Sequence, residues 1–346
     1  MPPGLLLSLV LLGTSTAAEP PIRSTERIAL PVGETTLDAV RAAFAKAGKP
    51  LAVPSDWDGK RKLTLAATAP ETRVAALDRV ARAVGGRIVL EDRGNVLKLA
   101  ATAGPMIASV DGDFRTAVHD VTARLNAETG QRTLEVALVC HWEPSFCVVR
   151  IDGEATLTAV TLDVGKTGHA AAKTKTATRD SQYLMTLRFA DVPREAKTIS
   201  LKGRYTVTAA QALQTLTFDA TKNVPQTLPG PLDAEVSVTL LPLRELPDRR
   251  EAIVELTYPP SKIEFESFES ALRFTRNRVS LIGPDGKPQR SVDDDLRETA
   301  TKTTLVTRFA PSKAPKAGAT LKAVVVTPTR FHEFPIHFDL PGVPLP

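Results

Sequence analysis

Hydrophobic and polar positions between residues 26 and 100 switch between a strand period and a helix period. Ile28 and the alternating apolar residues after it predict a strand. Leu37, Val40 and Phe44 then recur at spacings of three and four, which predicts an amphipathic helix, and Thr36 is placed to cap it. Short apolar runs on either side of this helix predict flanking strands.

A second series of apolar residues repeats the first at an offset of 37 residues. Val74, Leu77 and Val84 have helical spacing, Pro70 opens the segment and Gly85 closes it. Strand signals surround this helix as well. The repeat therefore predicts one domain over residues 26–100, made of a duplicated β-α-β unit.

After residue 100 the chain becomes rich in Thr and Val at alternating positions, which is typical of strands. Residues 113–125 fit either a helix or a strand, and the β character of all that follows favours a strand. The segment 225–231 contains three prolines and a glycine and reads as a linker. It divides this part of the chain into 101–224 and 232–346.

These two β segments resemble each other at an ungapped offset of 120 residues. The matching stretches are Arg188-Phe189-Ala190 with Arg308-Phe309-Ala310, Leu201-Lys202 with Leu321-Lys322, and Phe218-Asp219 with Phe338-Asp339. Duplication of a sandwich module explains the diagonal, although chance agreement between two β sequences is the alternative. The predicted fold class is an α+β N-terminal domain of duplicated β-α-β units, followed by two all-β, immunoglobulin-like sandwich domains.

The first 18 residues have the pattern of a cleavable signal peptide. An apolar run over residues 5–12 is followed by small residues up to Ala18. The alternative is a buried N-terminal strand. No later stretch is long and apolar enough to span a bilayer, so we expect the mature chain to be exported and to act in the periplasm or outside the cell.

Charge argues against a nucleic-acid partner. The chain has 44 basic and 39 acidic residues, a net charge of +5, and its basic residues are scattered. The clusters at 60–62 and 249–250 are too short for the dense basic face that nucleic acids need. Aromatic residues are only 5%, so aromatic sugar-binding platforms are also scarce.

The two cysteines, Cys140 and Cys147, are candidates for a disulfide, because an even count in an oxidising compartment favours pairing. Two reduced, buried thiols are the alternative. A catalytic pair of Cys147 with His141 is a third reading, but no further group is evident that would orient the histidine.

The remaining polar clusters predict no metal or cofactor. His332 and His337 are five residues apart on a predicted strand and so point to opposite faces. The run of three aspartates at 293–295 lacks the glycine-punctuated loop of a calcium site and reads as a solvated turn. Phe265 and Phe268 have helical spacing and fit either core packing or a partner-contact patch.

The predicted N-terminal domain resembles the short N-terminal domain shared by secretins and TonB-dependent transducers. The resemblance covers about 75 residues and is carried by the segments 36–40, 47–51, 75–78 and 84–88. In that family the domain is a periplasmic protein-contact module. The resemblance therefore implies protein binding rather than catalysis, although no secretin domain or outer-membrane barrel follows in this chain.

The whole layout also resembles a group of exported planctomycete-type proteins of unknown function. The matching segments are 134–136, 142–144, 266–268, 284–287 and 338–346. We therefore expect a non-enzymatic envelope protein that binds other envelope proteins or serves as a scaffold. The alternative is an exported hydrolase whose site is assembled from distant loops, since paired carboxylates leave no local signature.

Overall fold

The structure is a computed structural model, and it describes twelve stretches of the chain. They are residues 27–91, 96–101, 106–143, 148–151, 155–165, 170–171, 177–179, 182–229, 237–257, 278–298, 302–310 and 320–346. Of these residues, none belongs to a helix long and apolar enough to cross a membrane.

Residues 27–101 form an N-terminal unit around two helices. Its elements are β1 (Gly33–Thr36), α1 (Leu37–Lys46), β2 (Lys62–Leu65), α2 (Arg73–Val84), β3 (Gly86–Glu91) and β4 (Val96–Ala101). The hydroxyl of Thr36 accepts a hydrogen bond from the Ala39 N–H at the start of α1. Thr72 caps α2 in the same way, and Gly85 ends it in the left-handed conformation at φ 61°. The apolar stripes of both helices lie in one core.

The predicted α+β domain of duplicated β-α-β units is wrong. The described part of the chain is mostly β, with two helices. In a β-α-β unit the two strands are parallel neighbours in one sheet. Here β1 pairs with β2 and β3 with β4, both antiparallel, in two separate two-stranded sheets. The glycine that ends α2 leads directly into the β3–β4 hairpin, so the two repeats do not fold alike.

The rest of the described chain forms three larger sheets. The first contains β5 (Ala108–Asp111), β6 (Phe114–Leu125), β7 (Arg132–Trp142), β10 (Ala170–Ala171), β11 (Ala177–Arg179) and β12 (Gln182–Phe189). The central sheet contains β8 (Val148–Ile151), β9 (Thr156–Leu162), β13 (Thr198–Asp219), β18 (Arg278–Ile282) and β21 (Lys322–Pro344). The last contains β14 (Gln226–Pro229), β15 (Ser237–Leu240), β16 (Arg244–Glu245), β17 (Arg250–Thr257), β19 (Ser291–Glu298) and β20 (Lys302–Phe309).

Two very long strands, β13 and β21, run through both β cores. They have 22 and 23 residues and pair antiparallel along nearly their whole length. Leu201 of β13 and Phe338 of β21 lie in the first core, packed against the first sheet. Phe218 of β13 and Ala323 of β21 lie in the second core, packed against the last sheet.

The two outer sheets pack against opposite faces of the central sheet. In β13 the first core takes odd-numbered residues such as Leu201 and Tyr205, whereas the second takes even-numbered ones such as Leu216 and Phe218. Successive side chains of a strand point to opposite faces. The two immunoglobulin-like sandwiches predicted from the sequence are therefore not separate, because each core contains part of the other's long strand. The boundaries 101–224 and 232–346 stay a prediction about how the chain divides.

The offset of 120 residues corresponds to repeated geometry. It relates β12 to β20 end to end, and Phe189 and Phe309 are both buried. Arg188 lies opposite Glu135 on β7, and Arg308 lies opposite Glu251 on β17. Both arginines form ion pairs with these glutamates, at 3.0 and 3.2 Å. The expected strand over 113–125 is also present, as β6.

Candidate functional site

Cys140 is a buried free thiol on β7. The Tyr205 hydroxyl donates a hydrogen bond to its Sγ at 2.7 Å and lies 2.9 Å from the Thr116 hydroxyl. Burial raises the pKa of the thiol to about 12, so at neutral pH it is neither a thiolate nor a nucleophile. Cys147 lies outside the described residues. The sequence predicts that Cys140 forms a disulfide with Cys147, whereas the structure has Cys140 as a free thiol. Because Cys147 is not described, the disulfide stays a prediction.

The other residues singled out in the sequence do not converge on one site. Phe265 and Phe268 lie outside the described residues, so the partner-contact patch stays a prediction. His337 lies against Asp111, whose Oδ2 accepts the backbone N–H of His337 at 2.8 Å. His332 stacks on the ring of Phe334 instead.

The aspartate run 293–295 lies on β19 rather than in a turn, and Arg308 lies close to two of its three carboxylates. Arg308 donates to Asp293 at 2.7 Å and lies 3.8 Å from Asp295. Hydrogen bonds to Glu251 and to Asp293 raise the pKa of the Arg308 guanidinium. No group of three metal-binding side chains occurs among the residues that the structure describes.

A seam of buried charges joins α2 to the first sheet. The carboxylate of Asp78 accepts hydrogen bonds from Arg115 of β6 at 2.6 Å and from Arg82 at 2.7 Å. Arg115 is 2% exposed and Asp78 is 5% exposed, so water screens this pair little. Burial lowers the pKa of Arg115, and the charge of Asp78 acts against that effect.

Three further contacts belong to the same seam. Glu143, at the end of β7, lies 3.1 Å from Arg73 and 3.8 Å from Lys49. The Thr72 hydroxyl donates to the backbone carbonyl of Gly112 at 2.8 Å. Because a buried charge is costly unless it is paired, this seam holds the N-terminal unit in one position on the first sheet. Periodicity did not reveal it, since its partners come from distant parts of the chain.

His141 lies beside this seam on β7. It is 4% exposed, and its Nδ1 atom has no hydrogen-bond partner among the residues that the structure describes. Burial, followed by the nearby positive charge of Arg115, lowers the pKa of the imidazole to about 3. The ring is therefore neutral at physiological pH and contributes no charge to the seam.

Open strand edges are the features of this structure that are best suited to bind another polypeptide chain. An open edge here means the side of a strand that pairs with no other described strand. β9 pairs only with β13, the part of β6 after residue 118 pairs only with β7, and β19 pairs only with β20. Such an edge presents free N–H and C=O groups that can pair with another chain.

Two shallow grooves lie on the part of the chain that the structure describes. The larger, of about 360 Å³, lies on the central sheet and is lined by residues that include Arg204, Thr206 and Glu333. The smaller, of about 290 Å³, is lined by residues that include Lys222 and Glu245. Each groove has one carboxylate in its lining, whereas the usual glycosidase chemistry uses two.

No family model matches the chain, and no curated protein or solved structure matches it either.

Proposed function

We propose that this protein is a non-enzymatic interaction module of the cell envelope that binds protein partners by strand addition. The proposal rests on one observation, the open edge of β9. This strand has seven residues, Thr156–Leu162, and contains neither a charged residue nor a proline. Natural proteins usually protect an open edge with charges, prolines or bulges. β9 has an irregularity at Thr158 in its pairing with β13 but neither of the other two devices, so its edge remains able to pair with another chain.

The side chains of β9 fit this role. Thr158 and Ala159, at the middle of the strand, are exposed, whereas Val160 and Leu162 are buried in the first core. An added strand would take its affinity from backbone hydrogen bonds and its specificity from contacts with the exposed side chains. The partner expected here is therefore an extended segment of another envelope protein.

The body that carries β9 supports a scaffolding role. β9 pairs with β13, which runs through both β cores, and the buried seam fixes the N-terminal unit to the first sheet. A binding edge that is already ordered loses little conformational entropy on association. Export is part of the proposal because residues 5–18 have the signal-peptide pattern.

A lysine on the β9 edge tests the proposal. Thr158→Lys adds a charge that disfavours strand addition while leaving the buried residues unchanged. Wild-type and variant proteins are tagged, cross-linked in the native envelope fraction, purified and compared by quantitative mass spectrometry. We expect specific partners of the wild-type protein to be depleted at least about tenfold in the variant, which corresponds to about 1.4 kcal/mol of binding energy.

Val292→Lys is the matched control, because Val292 is 67% exposed on β19, a different edge strand that already carries several charges. It should recover the same partners as the wild-type protein. Equal recovery of all proteins by the wild type and by both variants would contradict strand addition at β9.

A further inference from the structure

The second half of β6 has an open edge of a different character from that of β9. β5 pairs with residues 114–117 of β6, and the carbonyl of Ile107 accepts the N–H of Val118. Beyond an irregularity between Val118 and Asp120, β6 pairs on one side only, with β7. The residues on this open edge are 119–125.

The charges of this edge are arranged symmetrically. Asp120 and Arg124 lie two residues before and two residues after Thr122, and alternation places all three on the outer face of the sheet. Asp120 and Arg124 are exposed. Asp120 accepts a hydrogen bond from the Thr122 hydroxyl at 2.9 Å, and Arg124 forms no ion pair with any described residue.

We propose that two copies of this chain pair through β6, antiparallel and centred on Thr122. This register places Asp120 of each copy opposite Arg124 of the other. Opposed residues of an antiparallel pair have Cβ atoms about 4.5–5.5 Å apart, which is close enough for an ion pair. A two-fold interface makes every contact twice, so the charges of two identical edges match.

The centre of the opposite face in the same register is apolar. Val121 and Ala123 are half-buried and pack against the first core. In the dimer Val121 lies opposite Ala123 of the second copy, which continues the apolar surface across the interface. Leu125, which is 51% exposed in the single chain, lies opposite His119 of the second copy at each end of the paired segment.

The other open edges lack this self-complementarity. Antiparallel pairing of β19 with its own copy, centred on Asp294, would oppose Asp293 to Asp295, and like charges in that position repel. The register that would oppose Asp293 to Arg297 is centred on Asp295 and places the Asp295 side chains of the two copies opposite each other, which is also repulsive. The β9 edge is uncharged and has no pair that selects a register. The dimer therefore uses a different edge from the proposed partner site and does not depend on it.

Charge inversion tests the interface, with the association of the purified chain measured by sedimentation velocity over a concentration series. We expect a reversible wild-type dimer with a dissociation constant in the micromolar range, since a single strand pair is a small interface. Asp120→Arg or Arg124→Asp alone places like charges opposite each other twice. Either change should weaken association at least about tenfold.

The combined results are diagnostic of the register. The double variant Asp120→Arg/Arg124→Asp restores both ion pairs and should dimerise like the wild-type chain. A mixture of the two single variants should form a heterodimer, because one copy has two basic residues and the other has two acidic ones at these positions. Circular dichroism confirms that each variant is folded before it is compared.

Two results would overturn the proposal. A wild-type chain that stays monomeric up to its solubility limit has no such interface, and a dimer that the single variants do not weaken is formed by another surface. Thr158→Lys should leave the dimer intact. A loss of partners in that variant is thereby distinguished from a loss of self-association.

Discussion

At the scale of single residues, the most informative feature is the burial of opposite charges between α2 and β6. A buried ion pair stabilises a fold little compared with apolar packing, but loss of one partner leaves an uncompensated charge. Asp78 holds two arginines, one from its own helix and one from the first sheet. This carboxylate therefore links the position of the N-terminal unit to the folding of the β region.

Removal of the Asp78 carboxylate should be strongly destabilising. We expect Asp78→Ala to lower the free energy of unfolding by about 3–5 kcal/mol, because Arg115 stays buried without its partner. Denaturant unfolding of both proteins measures the difference. Glu34→Ala, which removes the exposed partner of Lys62, should cost less than about 1 kcal/mol. Equal effects of the two substitutions would contradict the structural role of the seam.

His141 should make the stability depend on pH. Its pKa is about 3 in the folded chain and about 6.5 in the unfolded chain, so the unfolded state binds a proton first as the pH falls. Its contribution is fully present above pH 6.5 and is lost progressively between pH 6.5 and 3. The stability of His141→Gln should therefore fall less steeply over that range, as measured by unfolding at several pH values. A slope that is unchanged in His141→Gln would contradict this assignment.

Cys140 should react only in the unfolded protein. Burial and a raised pKa protect the thiol, so we expect no alkylation of Cys140 in the native state at neutral pH. Under denaturing conditions without a reductant, mass spectrometry should detect one alkyl group on Cys140. Absence of that label until a reductant is added would show that the disulfide with Cys147 exists.

At the scale of elements, two strands share their length between two cores. Each of the two β units that are related by the offset of 120 residues contributes the first part of its long strand to its own core and the last part to the core of the other. Leu201 and Ala323 illustrate the first case, and Phe218 and Phe338 illustrate the second. Neither core is complete without both strands.

This sharing predicts crossed effects of core substitutions. Phe338→Ala should destabilise the first core and Phe218→Ala the second, each by about 3–5 kcal/mol. Amide hydrogen exchange should accelerate in β7 and β12 for the first variant and in β17 and β20 for the second. The reverse pattern would show that the two sandwiches are separate along the chain.

Some of these elements could be predicted from the sequence and others could not. Both helices follow from local information, namely apolar spacing and the capping residues Thr36 and Gly85. Whether neighbouring strands are parallel depends on non-local pairing, which is why the β-α-β prediction failed. Apolar alternation likewise does not indicate which sheet covers a strand, so the shared cores were missed. The charged seam could not be predicted, because Arg115 lies in a segment whose sequence resembles that of an ordinary strand.

At the scale of the whole molecule, the described part of the chain combines fixed connections with free edges. The seam and the shared strands join its three hydrophobic cores. The edges differ in how they are protected, since β19 carries aspartates, β6 carries a self-complementary charge pair and β9 carries no charge. We infer different uses from this difference: exclusion of partners at β19, self-association at β6 and partner binding at β9.

A photoreactive residue on the β9 edge tests the proposed function most directly. It replaces Thr158 in one variant and Val292 in another, and both variants are irradiated in cells that express them in place of the natural protein. Strand addition at β9 predicts a defined covalent adduct with an envelope protein from position 158 and none from position 292. Absence of an adduct from position 158, or the same adduct from both positions, would contradict it.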